Sequence, residues 1–439
     1  MLDCKLYLEN EKLSIKFLNH LEEFSKYNVA IFETNGYLSK VKDISSLHLF
    51  INLLKEDLFE NYIYEINGLS KEDLNLYIEA LLDMVKFQKL YFPNKQIKLT
   101  LDIFMKSFIL FKRIKNLNPK KILEIGPGTQ ENSFFFKNLN LINYSTIEVY
   151  QPLYMLQHYI NFYLYEDKLQ QYALYTSNDV KNVKNKQINT YPWWHIDTLK
   201  NNSITYDIVL SNSNLLEFSK QSLIDYLKLI HLKLEKNGYF IFHGEGEHFN
   251  GNFEYLLDTL YQYKFAPLYI STPEQIDKNA IKFNNKIDKL LLAPFSEGVK
   301  KLIDSGYFKT LKTKIYILDD FQKGEYKDIP IISRDYAIKQ GFKYGIVFNY
   351  NILTRKELIN FFKKNSIQNI YSKPIYTKTW GVFINNNHNL FTKYYNKENY
   401  NRFFNSNEKV VNHFFSIEND KSFYSSDMII NFLKRKIEL

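Results

Sequence analysis

Four short stretches carry the residue types that a small-molecule site needs. Phe242-His243-Gly244-Glu245-Gly246-Glu247-His248-Phe249 concentrates two imidazoles and two carboxylates between glycines, directly after a strand candidate at Tyr239–Phe242. Loops at the carboxyl ends of strands carry the sites of open α/β sheets, and an imidazole titrating near neutrality can take a hydroxyl proton. His243 is therefore the first candidate general base, followed by Glu245. Two His and two Glu could instead hold a divalent cation, but the spacing matches no named metal motif and no metal is assigned. Glu217, at the end of Ser211-Asn212-Ser213-Asn214-Leu215-Leu216-Glu217, begins the helix after another strand candidate and is the rival base.

The third stretch, Lys121-Ile122-Leu123-Glu124-Ile125-Gly126-Pro127-Gly128-Thr129-Gln130-Glu131, reads as a strand, a tight turn and a helix start. Glycines at 126 and 128 let a backbone approach a ligand closely, and the amides of the turn can face a polar group. A dinucleotide fingerprint would need a third glycine at 131, where Glu131 would oppose a pyrophosphate, and no Gly-Lys-Ser/Thr follows for a Walker loop. The fourth stretch, Tyr144-Ser145-Thr146-Ile147-Glu148, ends in a carboxylate at the tip of a second strand, where it can hold both hydroxyls of a ribose.

Together these stretches resemble class I S-adenosylmethionine-dependent methyltransferases. Glu124, Gly126 and Gly128 match the E/D-x-G-x-G-x-G motif, with Gln130 where the third glycine is usual. The stretch Ser203–Phe218, a strand with Asp207 that runs into the polar turn Ser211-Asn212-Ser213-Asn214, resembles the fourth motif of the family. With Tyr191-Pro192-Trp193-Trp194-His195, the pattern is similar to sugar O-methyltransferases of bacterial surface-polysaccharide loci, over about Leu101 to Pro267. The resemblance implies S-adenosyl-L-methionine as cofactor, held by Glu124, Gly126, Gly128, Gln130, Glu148, Tyr150 and Asn212. Tyr150 or Leu153 would pack on the adenine. Trp193 and Trp194, adjacent and hard to bury together, would offer indole faces to a sugar ring. The implied activity is methylation of a sugar or sugar-containing glycan precursor, with a sugar, nucleotide-sugar or glycan as acceptor. Two alternatives stay open: a non-catalytic binding or scaffold protein that keeps the fold, and a methyltransferase of another small molecule. Methylation of a protein or nucleic acid is disfavoured, because no N-P-P-Y-type phrase follows the fourth-motif strand.

Composition bounds the partners. The formal charge of +9 comes from 57 Lys+Arg against 48 Asp+Glu, dispersed along the chain without a concentrated basic helix or an aromatic nucleic-acid module. No nucleic acid is expected, although the basic excess favours an anionic acceptor. One cysteine, Cys4, excludes an intrachain disulfide and a cysteine zinc cluster. No run approaches the ~20 apolar residues of a membrane span, and the start lacks a signal pattern, so a cytoplasmic protein is expected. A homo-oligomer is compatible with all of this.

The elements that must position these residues follow from periodicity. Residues 1–100 read as a helical N-terminal cap, with apolar residues at three- and four-residue spacing and a capping-box Ser70-Lys71-Glu72-Asp73. Residues 101–270 read as the Rossmann-like α/β methyltransferase core, with a mostly parallel seven-stranded sheet. A connector at 271–310 precedes a second small α/β C-terminal unit at 311–375, whose strands and helices alternate. Residues 376–439 read as an extension. Its Lys393 and Glu408 have a kinase-like spacing, but H-R-D and D-F-G are absent, so no phosphoryl transfer is expected.

Overall fold

A computed structural model describes residues 2–16, 36–53, 58–212, 214–215, 218, 220–244, 253–271, 281, 287–309, 312–349, 352–371, 379–385 and 421–437. It divides into two compact units: Met1–Phe59, Leu69–Ile270 and Trp380–Leu439 in the first, Glu60–Gly68 and Ser271–Thr379 in the second.

The first unit begins its sheet with β1 (Lys121–Ile125), β2 (Asn143–Glu148), β3 (Leu169–Gln171), β4 (Ile188–Pro192), β5 (Tyr206–Asn212), β6 (Leu234–Gly244) and β7 (Ala266–Ser271). The second unit holds β8 (Lys289–Ala293), β9 (Lys314–Leu318), β10 (Gly324–Tyr326), β11 (Ile329–Ile332), β12 (Tyr344–Val347) and β13 (Gln368–Asn369). The chain then returns to the first sheet as β14 (Thr379–Ile384).

The first sheet runs β3-β4-β2-β1-β5-β6-β14-β7. Its pairs from β3 to β6 are parallel. β14 runs against β6, since Asn385 exchanges backbone bonds at Asn237 and Gly238 while Gly381 lies against the Phe242 ring. The architecture is the expected Rossmann-like α/β sheet, with eight strands rather than seven. Ile122, Leu123 and Ile125 are fully buried in β1, the mark of a central parallel strand covered on both faces. Helices Lys71–Tyr91 and Leu101–Lys115 lead into it. Ser70 caps the first through the reciprocal box with Asp73 that its sequence spells.

The second unit is another open sheet, β10-β11-β9-β8-β12-β13, parallel except where β10 meets β11. Two features differ from the expected organisation. β8 is a central strand of this sheet, although residues 271–310 read as a connector. The unit is also an insertion between β7 and β14, so the stretch read as a C-terminal extension supplies a strand to the first sheet. Among the described residues, no helix is long and apolar enough to cross a membrane.

Candidate functional site

From β1 the chain moves through β2 to β4 on one side and through β5 to β6 on the other. The order reverses between β1 and β5, and a crevice outside the carboxyl ends of strands at such a point is where open α/β sheets bind ligands. The turn after β1 and the segment after β5 meet there.

The turn is built from left-handed residues: Gly126 has φ +58°, Gly128 +62° and Gln130 +66°. Gly126 donates its amide to Ile147 O at 2.9 Å, which ties the turn to β2. A Cβ on Gly126 would lie 2.1 Å from Asn214 Nδ2. That amide donates to Ile125 O and, at 2.6 Å, to Gly126 O, while Asn214 Oδ1 accepts from Ser211 Oγ at 2.5 Å. The glycine is therefore required by a side chain of the same protein that clamps the turn across the reversal point. Sequence reasoning gave Asn214 no role, because its partner is reached only across the sheet.

Gln130, where a glycine is usual, does not protrude into the turn's opening. Its Nε2 donates inward to Ser133 Oγ at 2.6 Å and to Tyr144 Oη at 2.9 Å. Tyr144 in turn donates to Glu124, whose other oxygen accepts from Asn132. Glu124 is fully buried behind the turn and serves as the centre of this network. Burial pushes its carboxyl up to about 7 against the pull of both donors. Burial has the same effect on Glu131, which accepts from Thr129 Oγ1.

Glu148 ends β2 as expected. Its Oε1 accepts the amides of Val149 and Tyr150 at 2.8 and 3.0 Å, and its Oε2 accepts from Gln157 Nε2 at 3.0 Å. Burial raises it to about 7 although these donors favour the charge. Gln157 also donates to Gly128 O at 2.9 Å, so one amide joins the glycine turn to the tip of β2. Gln157 Oε1 is buried and makes no hydrogen bond among the described residues. Beside a carboxylate, this leaves two acceptors suited to the vicinal hydroxyls of a ribose. The acceptor pair thus fits a nucleoside-type ligand beside the turn at Gly128.

Three expected binding residues are placed otherwise. Tyr150 is fully buried; its hydroxyl donates to Leu38 O at 2.5 Å and its ring meets Phe50 edge-on, so it faces the N-terminal segment and not an open adenine slot. Trp193 and Trp194 are 2% and 1% exposed and form no platform. A turn of 3-10 helix sets their rings at 87°, and helix Cys4–Ile15 covers both. Tyr7 packs edge-on against Trp194, and Glu11 accepts from Trp193 Nε1 at 2.9 Å.

At the other side of the reversal point, Asn212 and His243 are register partners at the ends of β5 and β6. Asn212 Oδ1 lies 3.3 Å from His243 Nδ1. A carbonyl oxygen only accepts, so this contact puts the proton on Nδ1 and the lone pair on Nε2. The imidazole is 3% exposed and lies against the Trp380 ring, centroids 4.1 Å apart. Arg113, from helix Leu101–Lys115, sets its guanidinium 3.9 Å from the same indole. Glu217, Glu245, Glu247 and His248 lie outside the described residues. Among the described residues, no group of three or more His, Cys, Asp or Glu could hold a metal ion.

No protein-family model and no curated protein matches the chain. Solved structures similar to part of it include the N-methyltransferase NodS of Bradyrhizobium japonicum WM9 with S-adenosyl-L-homocysteine, at 10% identity and TM-score 0.28 over 44% of this chain and 90% of that one. The ribosomal protein L11 methylase of Lactobacillus delbrueckii overlaps at 11% identity and TM-score 0.27, covering 39% and 73% of the two chains. The cyclase SpnF overlaps at 13% identity and TM-score 0.29 over 41% of this chain and 63% of its own length.

Proposed function

We propose that the first unit binds S-adenosyl-L-methionine and transfers its methyl group to a hydroxyl of a small acceptor, a sugar or sugar-containing glycan precursor. The observation that carries the reading is the convergence at the β1/β5 reversal point: a glycine turn, the buried Glu148 with the open acceptor on Gln157, and the Asn212–His243 pair. The bound cofactor would supply a sulfonium-activated methyl group. Gly128 provides the close backbone approach in the turn that Asn214 clamps at Gly126, and Glu148 with Gln157 Oε1 takes the ribose hydroxyls. The acceptor chemistry needs alignment first and proton removal second, worth roughly 10²–10⁴-fold. His243 carries the lone pair for that step on Nε2. An O-acceptor is favoured by an imidazole held beside an amide at the ends of β5 and β6, and the sugar class by the resemblance of the motifs.

Isothermal titration with S-adenosyl-L-homocysteine tests the cofactor reading. Binding is expected in the wild type and in His243→Ala, and a loss of at least about tenfold in Glu148→Ala, the scale of one charge-assisted hydrogen-bond set. Heat absent from the wild type at high protein concentration would sink the reading. Cofactor binding without methyl transfer to any sugar or nucleotide-sugar acceptor would leave the scaffold alternative in its place.

A further inference from the structure

We propose that Trp380 is a positioning residue for His243, held in place by Arg113, so that the β14 strand entering from the second unit's sequence sets the tautomer of the candidate base. This rests on the reading of His243 as that base. An imidazole at the end of a strand can turn about its ring bond, and a half-turn would present a carbon to Asn212 where Nδ1 now stands. A hydrogen bond of 3.3 Å is a weak restraint.

The indole supplies the second restraint. Its ring lies 4.1 Å from the imidazole, inclined by 43°, and is itself 1% exposed. Arg113, 6% exposed, covers the indole at 3.9 Å, which suits a permanent planar cation on an aromatic ring. Three groups from three elements thus meet at the indole: the guanidinium of Arg113, the indole of Trp380 and the imidazole of His243. His243 at the end of β6 and Trp380 near the start of β14 lie at the same end of two neighbouring antiparallel strands, since Asn385 bonds at Asn237 and Gly238 while Gly381 lies against the Phe242 ring. Trp380 touches no reacting atom in this scheme; it acts through His243.

The test is histidine ¹⁵N NMR on the full chain, which reads the ratio of the Nδ1–H to the Nε2–H tautomer without an acceptor. The wild type should show His243 predominantly as Nδ1–H. Trp380→Leu should lower that ratio about fivefold or more, the equivalent of one ordinary hydrogen bond released. Trp380→Phe, which keeps a flat ring, should restore most of it. A wild-type ratio in Trp380→Leu overturns the proposal, and so does a Phe variant that loses the ratio as fully as Leu. Should Trp380→Leu not fold, Arg113→Met removes the support from the indole's side: a fall in the ratio supports the proposal and an unchanged ratio overturns it. Titration of the same samples with S-adenosyl-L-homocysteine separates the two readings. Failure of the wild type to bind refutes the cofactor assignment while the tautomer result still stands or falls by itself.

Discussion

Gly126→Ala isolates what the glycine turn is for. An L-residue at φ +58° costs about 1–2 kcal/mol. The new methyl would also stand 2.1 Å from Asn214 Nδ2 and 2.9 Å from its Cγ, so the amide must leave. With it go the bonds to Ile125 O and Gly126 O and the bond from Ser211 Oγ, each worth about 1 kcal/mol net. The expected loss is therefore roughly 3–5 kcal/mol, the sum of the backbone and hydrogen-bond costs. Asn214→Ala alone should cost about 2–3 kcal/mol through the same bonds. In the double variant the clash is gone and only the backbone cost is added, so the two changes should couple by about 2 kcal/mol or more. Urea unfolding followed by tryptophan fluorescence is the assay. Trp193, Trp194 and Trp380 are the 3 tryptophans of the chain and all belong to the first unit, so the signal reports that unit alone. Additive costs, with Gly126→Ala as damaging without Asn214 as with it, would refute the clamp.

Three further outcomes follow from burial. His158 is 1% exposed with both ring nitrogens lacking hydrogen bonds, and burial pulls it down to about 3. Its folded pKa lies below the unfolded value, so its contribution is present above pH ~6.5 and is lost as pH falls towards 3; His158→Leu should remove of order 2 kcal/mol of acid sensitivity between pH 6.5 and 4.5. His195, pulled down to about 4 by burial, leaves a residual slope of the same sign in that variant's urea-unfolding series. Glu131, raised to about 7, behaves oppositely: its stability is present below pH ~4.5 and lost as pH rises through 7, so Glu131→Gln should flatten the decline on that limb of the melting profile. Trp193→Phe should cost about 2–3 kcal/mol through the lost bond to Glu11 and lost packing, with the KM for a sugar acceptor unchanged; a raised acceptor KM with unchanged stability would restore the platform role.

The strand-turn-helix at Glu124–Glu131 was legible because its signals are local: an apolar run, two glycines two residues apart, and a helix start. Glu148 was legible for the same reason. Local pattern says nothing of which way a side chain turns once the backbone is set. Gln130 stands where a third glycine is usual, yet its left-handed backbone directs the amide down to Tyr144. Adjacent tryptophans looked unburiable because a strand would send one ring to each face, whereas a 3-10 turn with a covering helix hides both. Asn214, Gln157, Arg113 and Trp380 act through partners on other elements, and no spacing rule joins Trp380 to His243 across an intervening unit. The organisation of 271–379 was misjudged at β8 because a short leucine run beside polar residues reads equally well as a connector.

The late arrival of β14 has a consequence for how the protein is made. β6 and β7 are both synthesised before the bulk of the second unit, Ser271–Thr379, yet in the finished sheet each is a neighbour of β14, which follows that stretch. Until residues 379–384 leave the ribosome, the first sheet holds an unpaired β6 edge rich in Phe240, Ile241 and Phe242, the kind of edge that recruits other strands. A chain stopped just short of Thr379 would carry every residue of the glycine turn, Glu148 and His243, and should still aggregate. Completion of the first sheet therefore has to wait until Ser271–Thr379 has been made.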